Sequence, residues 1–289
     1  MIPIREALET GKLLLSDGAM GTQLAARGGI QGPMSNLKFP ELVKDVHADY
    51  KNAGADIVLT NTLTANRMYL EHARSGDDFE EINIRGVQLC REAVGDGCYV
   101  CGDMTSAGQF MEPLGDYTEQ QFHDNAAEQA ALLARNGVDL IIIETMTDVR
   151  EMCVAVRAAR EVASVPVIAS VAFDAVADGF RTMMGDTVEK AVRDLTDAGA
   201  DVIGANCGTI GPMEMSRVIG EMRKLTEGVL IAQPNAGKPE LAAGQVTFNL
   251  SPAEFVDGMV KCIEAGATLV GGCCGTTPEH ITELAKRVK

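Results

Sequence analysis

The side chains best suited to chemistry in this 289-residue chain are cysteines. Cys207 lies in Gly204-Ala-Asn-Cys-Gly, and Cys273 and Cys274 lie in Gly271-Gly-Cys-Cys-Gly. Three thiolates brought within reach of one point make a soft site, and zinc is the metal such a site favours. Neighbouring side chains on a straight strand point to opposite faces, so Cys273 and Cys274 can share a metal only if the chain turns between them. The flanking glycines allow that turn. A plainer role stays open, because cysteines at strand ends also serve as small buried hydrophobes. The other five fall to that role. Cys98 and Cys101 have C-x-x-C spacing but lie on opposite faces of a predicted strand, while Cys90, Cys153 and Cys262 occupy helical positions among apolar residues.

Two acids, Asp17 and Glu144, also end apolar runs. They could recognise a cationic group such as an α-ammonium, or they could hydrogen-bond the local backbone or cap a helix. The four histidines (His47, His72, His123 and His280) fall in helical stretches without metal-ligand spacing. Neither a G-x-S-x-G elbow nor a Walker loop occurs.

The elements that must position these residues follow from one recurring pattern. Gly54, Gly137, Gly199 and Gly266 each end a helical stretch and lead into a short apolar, β-branched run. Glycine takes the left-handed conformation at a helix end cheaply, and a run apolar on both faces is the habit of a buried parallel strand. Eight such runs occur: Leu13–Asp17, Asp56–Asn61, Tyr99–Asp103, Leu140–Glu144, Val167–Ala172, Val202–Asn206, Val229–Gln233 and Thr268–Gly272. Helices between them open with caps at Thr118-Glu-Gln-Gln121, Ser251-Pro-Ala-Glu254 and Thr277-Pro278. Eight alternating strands and helices predict a single α/β domain over residues 1–289, a (β/α)8 TIM barrel with its site at the C-terminal ends of the strands. A doubly wound open sheet fits less well, because the first turn, Asp17-Gly-Ala-Met-Gly-Thr, lacks the G-x-G-x-x-G fingerprint.

Composition narrows the function classes. With 46% hydrophobic and 23% charged residues the chain is neither disordered nor fibrous. A formal charge of −16 opposes binding to nucleic acid or to an anionic membrane surface. No apolar run approaches the ~18 residues of a membrane span. The mixed, charged N-terminus does not resemble a signal peptide, which predicts a cytoplasmic protein without disulfides.

Asp17-Gly-Ala-Met-Gly-Thr, Gly204-Ala-Asn-Cys-Gly, Pro234-Asn-Ala-Gly and Gly271-Gly-Cys-Cys-Gly-Thr-Thr-Pro-Glu-His, in this order, resemble the homocysteine S-methyltransferase family. The likeness covers essentially the whole chain and is strongest to the N-terminal homocysteine-binding module of cobalamin-dependent methionine synthases. It implies that Cys207, Cys273 and Cys274 are zinc ligands and that Asp17 and Glu144 hold the amino group of L-homocysteine. It further implies that backbone amides around Ala19 and Met20 hold the substrate carboxylate, and that Asn235 fills the fourth zinc position when substrate is absent. The implied reaction moves a methyl group to the homocysteine thiol to give methionine. The implied donor is methylcobalamin or another methylcorrinoid, carried by a separate domain or protein, since the sequence ends after the last barrel helix. Betaine, S-methylmethionine or S-adenosylmethionine are alternative donors, and another thiol is an alternative acceptor. Met20, Met104, Met111, Met146, Met183, Met184, Met213 and Met215 all follow predicted strands. They predict a soft apolar rim on which a corrinoid-carrying protein docks, with packing of the lid against the barrel as the alternative.

Overall fold

The computed structural model describes residues 1–73, 78–242 and 245–289. In chain order its strands are β1 (Leu14–Leu15), β2 (Ile57–Leu59), β3 (Tyr99–Met104), β4 (Leu140–Met146), β5 (Val167–Val171), β6 (Asp174–Val176), β7 (Gly179–Arg181), β8 (Val202–Asn206), β9 (Val229–Gln233), β10 (Glu240–Ala242), β11 (Gln245–Thr247) and β12 (Leu269–Val270). The helices are α1 (Ile4–Glu9), α2 (Met20–Ala26), α3 (Ser35–Lys38), α4 (Pro40–Asn52), α5 (Arg67–His72) and α6 (Phe79–Val94) in the first part of the chain. They continue with α7 (Glu119–Arg135), α8 (Val149–Val162), α9 (Val188–Ala198), α10 (Pro212–Arg223), α11 (Pro252–Glu264) and α12 (Pro278–Val288).

Eight parallel strands run in the order β1-β12-β9-β8-β5-β4-β3-β2. The ends of that row meet. Ser16 bridges Ile57 in parallel, the Asp56 amide donates to the Leu15 carbonyl at 2.7 Å, and the Asp17 amide donates to the Ile57 carbonyl at 3.0 Å. The sheet is therefore a closed barrel, as the alternation of runs and helices predicts. The helix-end glycines Gly54, Gly137, Gly199 and Gly266 all have positive φ. The caps at Thr118, Ser251 and Thr277 form where expected, and all four histidines lie in helices.

Inside the barrel, Leu14, Ile57, Tyr99, Cys101, Leu140, Ile142, Ile168, Val202, Ile231 and Leu269 pack as one apolar plug together with Ile4, Ala7 and Leu8 of α1. Helix α1 thus seals the N-terminal end of the barrel, held by Tyr99 Oη donating to the Ile2 carbonyl at 2.7 Å and by Arg5 on Asp201 at 2.9 Å. A second, larger core fills the layer between strands and helices and takes in Cys90, Cys98, Cys153 and Cys262. Cys98 and Cys101 face these two different cores, as their spacing on one strand requires.

Side chains on a strand alternate, so the next inward step beyond Cys101, Ile142, Ile168 and Ile231 is Asp103, Glu144, Ser170 and Gln233. All four are buried. The apolar plug therefore gives way to a polar layer at the C-terminal mouth. Strands β8 and β9 approach closely there because Gly204 has no side chain; a Cβ at that position would stand 2.0 Å from the Ile231 carbonyl oxygen.

The strands depart from the sequence reading in several places. Strands β1, β2 and β12 are shorter than their apolar runs, because the residues beyond them leave the ladder to form the mouth. The antiparallel hairpins β6–β7 and β10–β11 were not expected. Among the described residues no helix is long and apolar enough to cross a membrane.

Candidate metal centre and acid pocket

The three singled-out cysteines converge. The Sγ atoms of Cys207, Cys273 and Cys274 all lie within 4.8 Å of one another, with Cys207 and Cys274 3.9 Å apart. Tetrahedral ligation at a Zn–S distance of about 2.3 Å needs sulfurs about 3.8 Å apart, which this cluster nearly meets. Among the described residues it is the only group of three cysteine, histidine or carboxylate side chains so disposed.

Local backbone explains the convergence. Cys207 follows β8 with φ +54°, and Gly208 continues in the same region with φ +69°. The second position demands glycine twice over, since a Cβ there would sit 2.2 Å from the Phe173 carbonyl oxygen. After β12 the chain turns as foreseen. The Cys273 amide donates to the Pro234 carbonyl at 2.9 Å, and the Thr276 amide closes a turn on the Cys273 carbonyl at 3.2 Å. The Cys274 carbonyl in turn accepts from the Ala236 amide at 2.9 Å. These bonds fasten the segment after β12 to the segment after β9. Asn235 lies on that second segment, with Nδ2 donating to the Gly208 carbonyl at 2.9 Å and Oδ1 buried without a partner.

The thiols are electrostatically divided. Hydrogen bonds from Cys207 and Cys273 pull the Cys274 thiol down to about 4. The same two sulfur neighbours of Cys273, together with burial, push its thiol well above the ordinary range. The first proton leaves readily and the next is held, which is what three crowded sulfurs do until a cation joins them. A soft divalent ion fits this donor set, and the unpartnered oxygen of Asn235 adds a fourth potential ligand.

Beside the sulfurs lies a pocket of acids. Asp17, Asp103 and Glu144 are all buried, and none is in an ion pair among the described residues. Asp17 accepts from the Leu59 amide at 2.9 Å and the Ser16 hydroxyl at 3.2 Å, yet burial pushes its carboxyl up to about 8. Burial, and then the proximity of Cys207, raise Glu144 to about 7. Asp103 is pushed well up by burial and then by Glu144 and Asp17, and its buried Oδ1 has no hydrogen-bond partner among the described residues. Three buried acids without a positive partner hold protons until a cation enters.

The sequence pointed to Asp17, Glu144, Cys207, Cys273, Cys274 and Asn235, and all six lie at this mouth. Other residues of the mouth, Asp103 and Asn206 among them, were given no role there. Asp103 was noted only as the end of a run. Asn206 was read only as the residue before Cys207; its side chain reaches Glu144, Thr145 and Cys273. The two predicted amides differ. That of Ala19 already donates to Thr276 Oγ1 at 3.0 Å, whereas Met20 opens α2, where an amide has no acceptor within its own helix.

The methionine rim needs correction. Met104, Met111, Met146 and Met215 are buried, with Met104, Met146 and Met215 in the core between strands and helices. Side chains after a strand point inward as often as outward, so position alone does not place them on the surface. Only Met183, Met184 and Met213 are exposed, and Met20 is half-buried.

A closed (β/α)8 barrel brings three cysteines and three buried acids to one mouth, and comparison gives it a family. A family model for homocysteine S-methyltransferase matches residues 14–288. The chain belongs to that family. It is 31% identical to a methionine synthase of Mycobacterium leprae and 32% identical to one of Mycobacterium tuberculosis, in each case over 96% of its own length. It spans only about a quarter of those proteins, 24% and 25% respectively. Its fold matches the metallated form of the homocysteine methyltransferase MmuM from Escherichia coli with a TM-score of 0.79, at 24% identity and with 99% of each chain covered.

Proposed function

We propose that this chain, acting as one barrel unit over residues 1–289 in the cytoplasm, transfers a methyl group to the thiol of L-homocysteine to give methionine. One observation carries the reading: a three-sulfur cluster and a cation-seeking acid pocket share one barrel mouth. Membership of the family and similarity to proteins named methionine synthase support it.

Cys207, Cys273 and Cys274 would hold zinc, with Asn235 Oδ1 completing the site before substrate enters. Bound zinc supplies the Lewis acidity that keeps a substrate thiol ionised at neutral pH. Asp17 and Glu144 take the α-ammonium, whose charge replaces the protons they otherwise hold. The free amide of Met20 takes the carboxylate. Held at that end, the homocysteine side chain points its sulfur toward the cysteine cluster. The α1 plug keeps water from entering below. The thiol proton passes to solvent as the thiol ionises; in the transfer the sulfur–methyl bond forms as the donor–methyl bond breaks, and that bond's electron pair leaves with the donor.

The favoured donor is methylcobalamin or another methylcorrinoid presented by a separate domain or protein. Exposed Met183, Met184 and Met213, together with exposed Phe110, would border its approach. The test is zinc-loaded protein with L-homocysteine and free methylcobalamin, followed by the corrinoid's visible absorbance, with Cys207→Ser as control. Demethylation that requires Cys207 supports both the thiolate chemistry and the donor. Homocysteine binding without turnover moves the donor to a dedicated carrier or to betaine, S-methylmethionine or S-adenosylmethionine. Failure to bind homocysteine overturns the substrate assignment.

A further inference from the structure

Of the three acids at the mouth, Asp103 is the one left without a donor. Asp17 accepts from the Leu59 amide and the Ser16 hydroxyl, and Glu144 accepts from Asn206 Nδ2. Asp103 Oδ1 is buried and accepts from nothing among the described residues. A buried acceptor with no partner costs free energy, so its place at a mouth calls for a donor that arrives from outside.

The backbone that carries this carboxyl is fixed from both sides. Thr60 and Thr62, on the segment just after β2, are buried with it. The Asp103 amide donates to Thr60 Oγ1 at 3.1 Å, and Thr62 Oγ1 donates to the Asp103 carbonyl at 2.7 Å. The two hydroxyl oxygens are 2.6 Å apart. A hydroxyl has one hydrogen, and that of Thr62 is spent on the carbonyl, so the Thr60 hydroxyl donates to Thr62. The three bonds run one way round a closed ring, from amide to Thr60 to Thr62 to carbonyl. Neither threonine has a hydrogen left for the carboxyl. The ring orients Asp103 without satisfying it.

Asp17, Asp103 and Glu144 come from β1, β3 and β4, which with β2 are neighbouring strands of the closed barrel, and Asp103 is near enough to both other acids to feel their charge. A primary ammonium carries three hydrogens. We infer that Asp103 is a specificity-determining residue of the acid pocket: its Oδ1 takes the third hydrogen of the α-ammonium, so the site selects an unsubstituted primary amine. The inference rests on the reading of this pocket as the place of the homocysteine amino group. It does not depend on the charge of Asp103, because a carboxyl oxygen accepts whether or not its neighbour carries a proton. A secondary amine brings one hydrogen fewer and a methyl group, which must displace one of the three bonds.

The test compares L-homocysteine with N-methyl-L-homocysteine, which share the sulfur and the carboxylate. Calorimetry on the zinc-loaded protein gives a dissociation constant for each. The natural protein should prefer L-homocysteine by on the order of 10- to 100-fold, the worth of one charge-assisted hydrogen bond. In Asp103→Ala the binding of L-homocysteine should weaken by a similar factor. N-methyl-L-homocysteine should bind that variant no more weakly than the natural protein, because the space left by the carboxyl takes its methyl group. The preference should therefore collapse while zinc content stays unchanged. A merely structural role would weaken both ligands together. Equal binding of the two ligands by the natural protein overturns the inference without recourse to any variant. So does an Asp103→Ala protein that keeps the preference or loses affinity for both alike. Each of these results leaves the proposed function intact. Failure of the natural protein to bind L-homocysteine overturns the proposed function, and the inference with it.

Discussion

Replacing Asp17 by asparagine should reverse its effect on the protein according to pH. The Asp17 carboxyl is buried, faces Glu144 and Asp103, and is pushed up to about 8 from its ordinary value of 3.8. A group whose pKa is raised on folding contributes stability that is fully present below its unfolded pKa. That stability is lost as the pH rises through the folded pKa, here between about 4 and 8. Asparagine keeps an oxygen for the Leu59 amide and never ionises. The ligand-free variant should therefore gain on the natural protein steadily between pH 5 and pH 8. At ~1.4 kcal/mol per pH unit over three units the ceiling is about 4 kcal/mol, and relaxation of the mouth leaves an expected gain on the order of 2–4 kcal/mol. Urea unfolding of both proteins at pH 5, 6, 7 and 8, at equal metal content, measures the difference. With L-homocysteine added the order should invert, because the ammonium stabilises only the carboxylate form. A difference that does not change with pH would refute the argument that Asp17 is an uncompensated buried acid.

Three further outcomes test the frame around the site. Gly204→Ala places a Cβ 2.0 Å from the Ile231 carbonyl oxygen, so it should prevent β8 and β9 from pairing, visible as loss of soluble, cooperatively unfolding protein. Thr276→Val removes the hydroxyl that accepts from the Ala19 amide and donates to the Cys273 carbonyl. The orphaned buried amide should cost about 1–3 kcal/mol in urea unfolding and loosen the hold on zinc in a chelator competition. Ile142→Ala opens the plug beneath the site and should cost about 2–5 kcal/mol while leaving zinc stoichiometry unchanged, which separates floor from mouth.

Much of this architecture is legible in the chain because it is written locally. A helix-end glycine followed by a β-branched run, as at Gly199 and Val202–Asn206, specifies a turn and a buried strand within a dozen residues. Eight such units leave few folds to choose from. The two hairpins escaped because each strand is only three residues long, too short for alternation to show, and Asp174–Val176 is largely exposed. The sulfur cluster was foreseen because strand ends of a barrel meet at one rim. The role of Asn206 was not, since its bonds to Glu144, Thr145 and Cys273 span 61 to 67 residues and leave no local pattern. Asp103 was passed over for a similar reason: an acid at a strand end becomes unusual only when two others are seen beside it. The methionine rim was overdrawn because sequence gives position along a strand end but not the side to which a chain beyond it turns.

The central claim is that three cysteine sulfurs hold zinc and leave one position for a substrate sulfur. The most direct measurement is the number of sulfur neighbours of zinc by X-ray absorption, in the same sample before and after L-homocysteine. The account predicts three sulfurs with one lighter ligand before, and four sulfurs after. Four sulfurs from the outset, or three both before and after saturation with L-homocysteine, would contradict it.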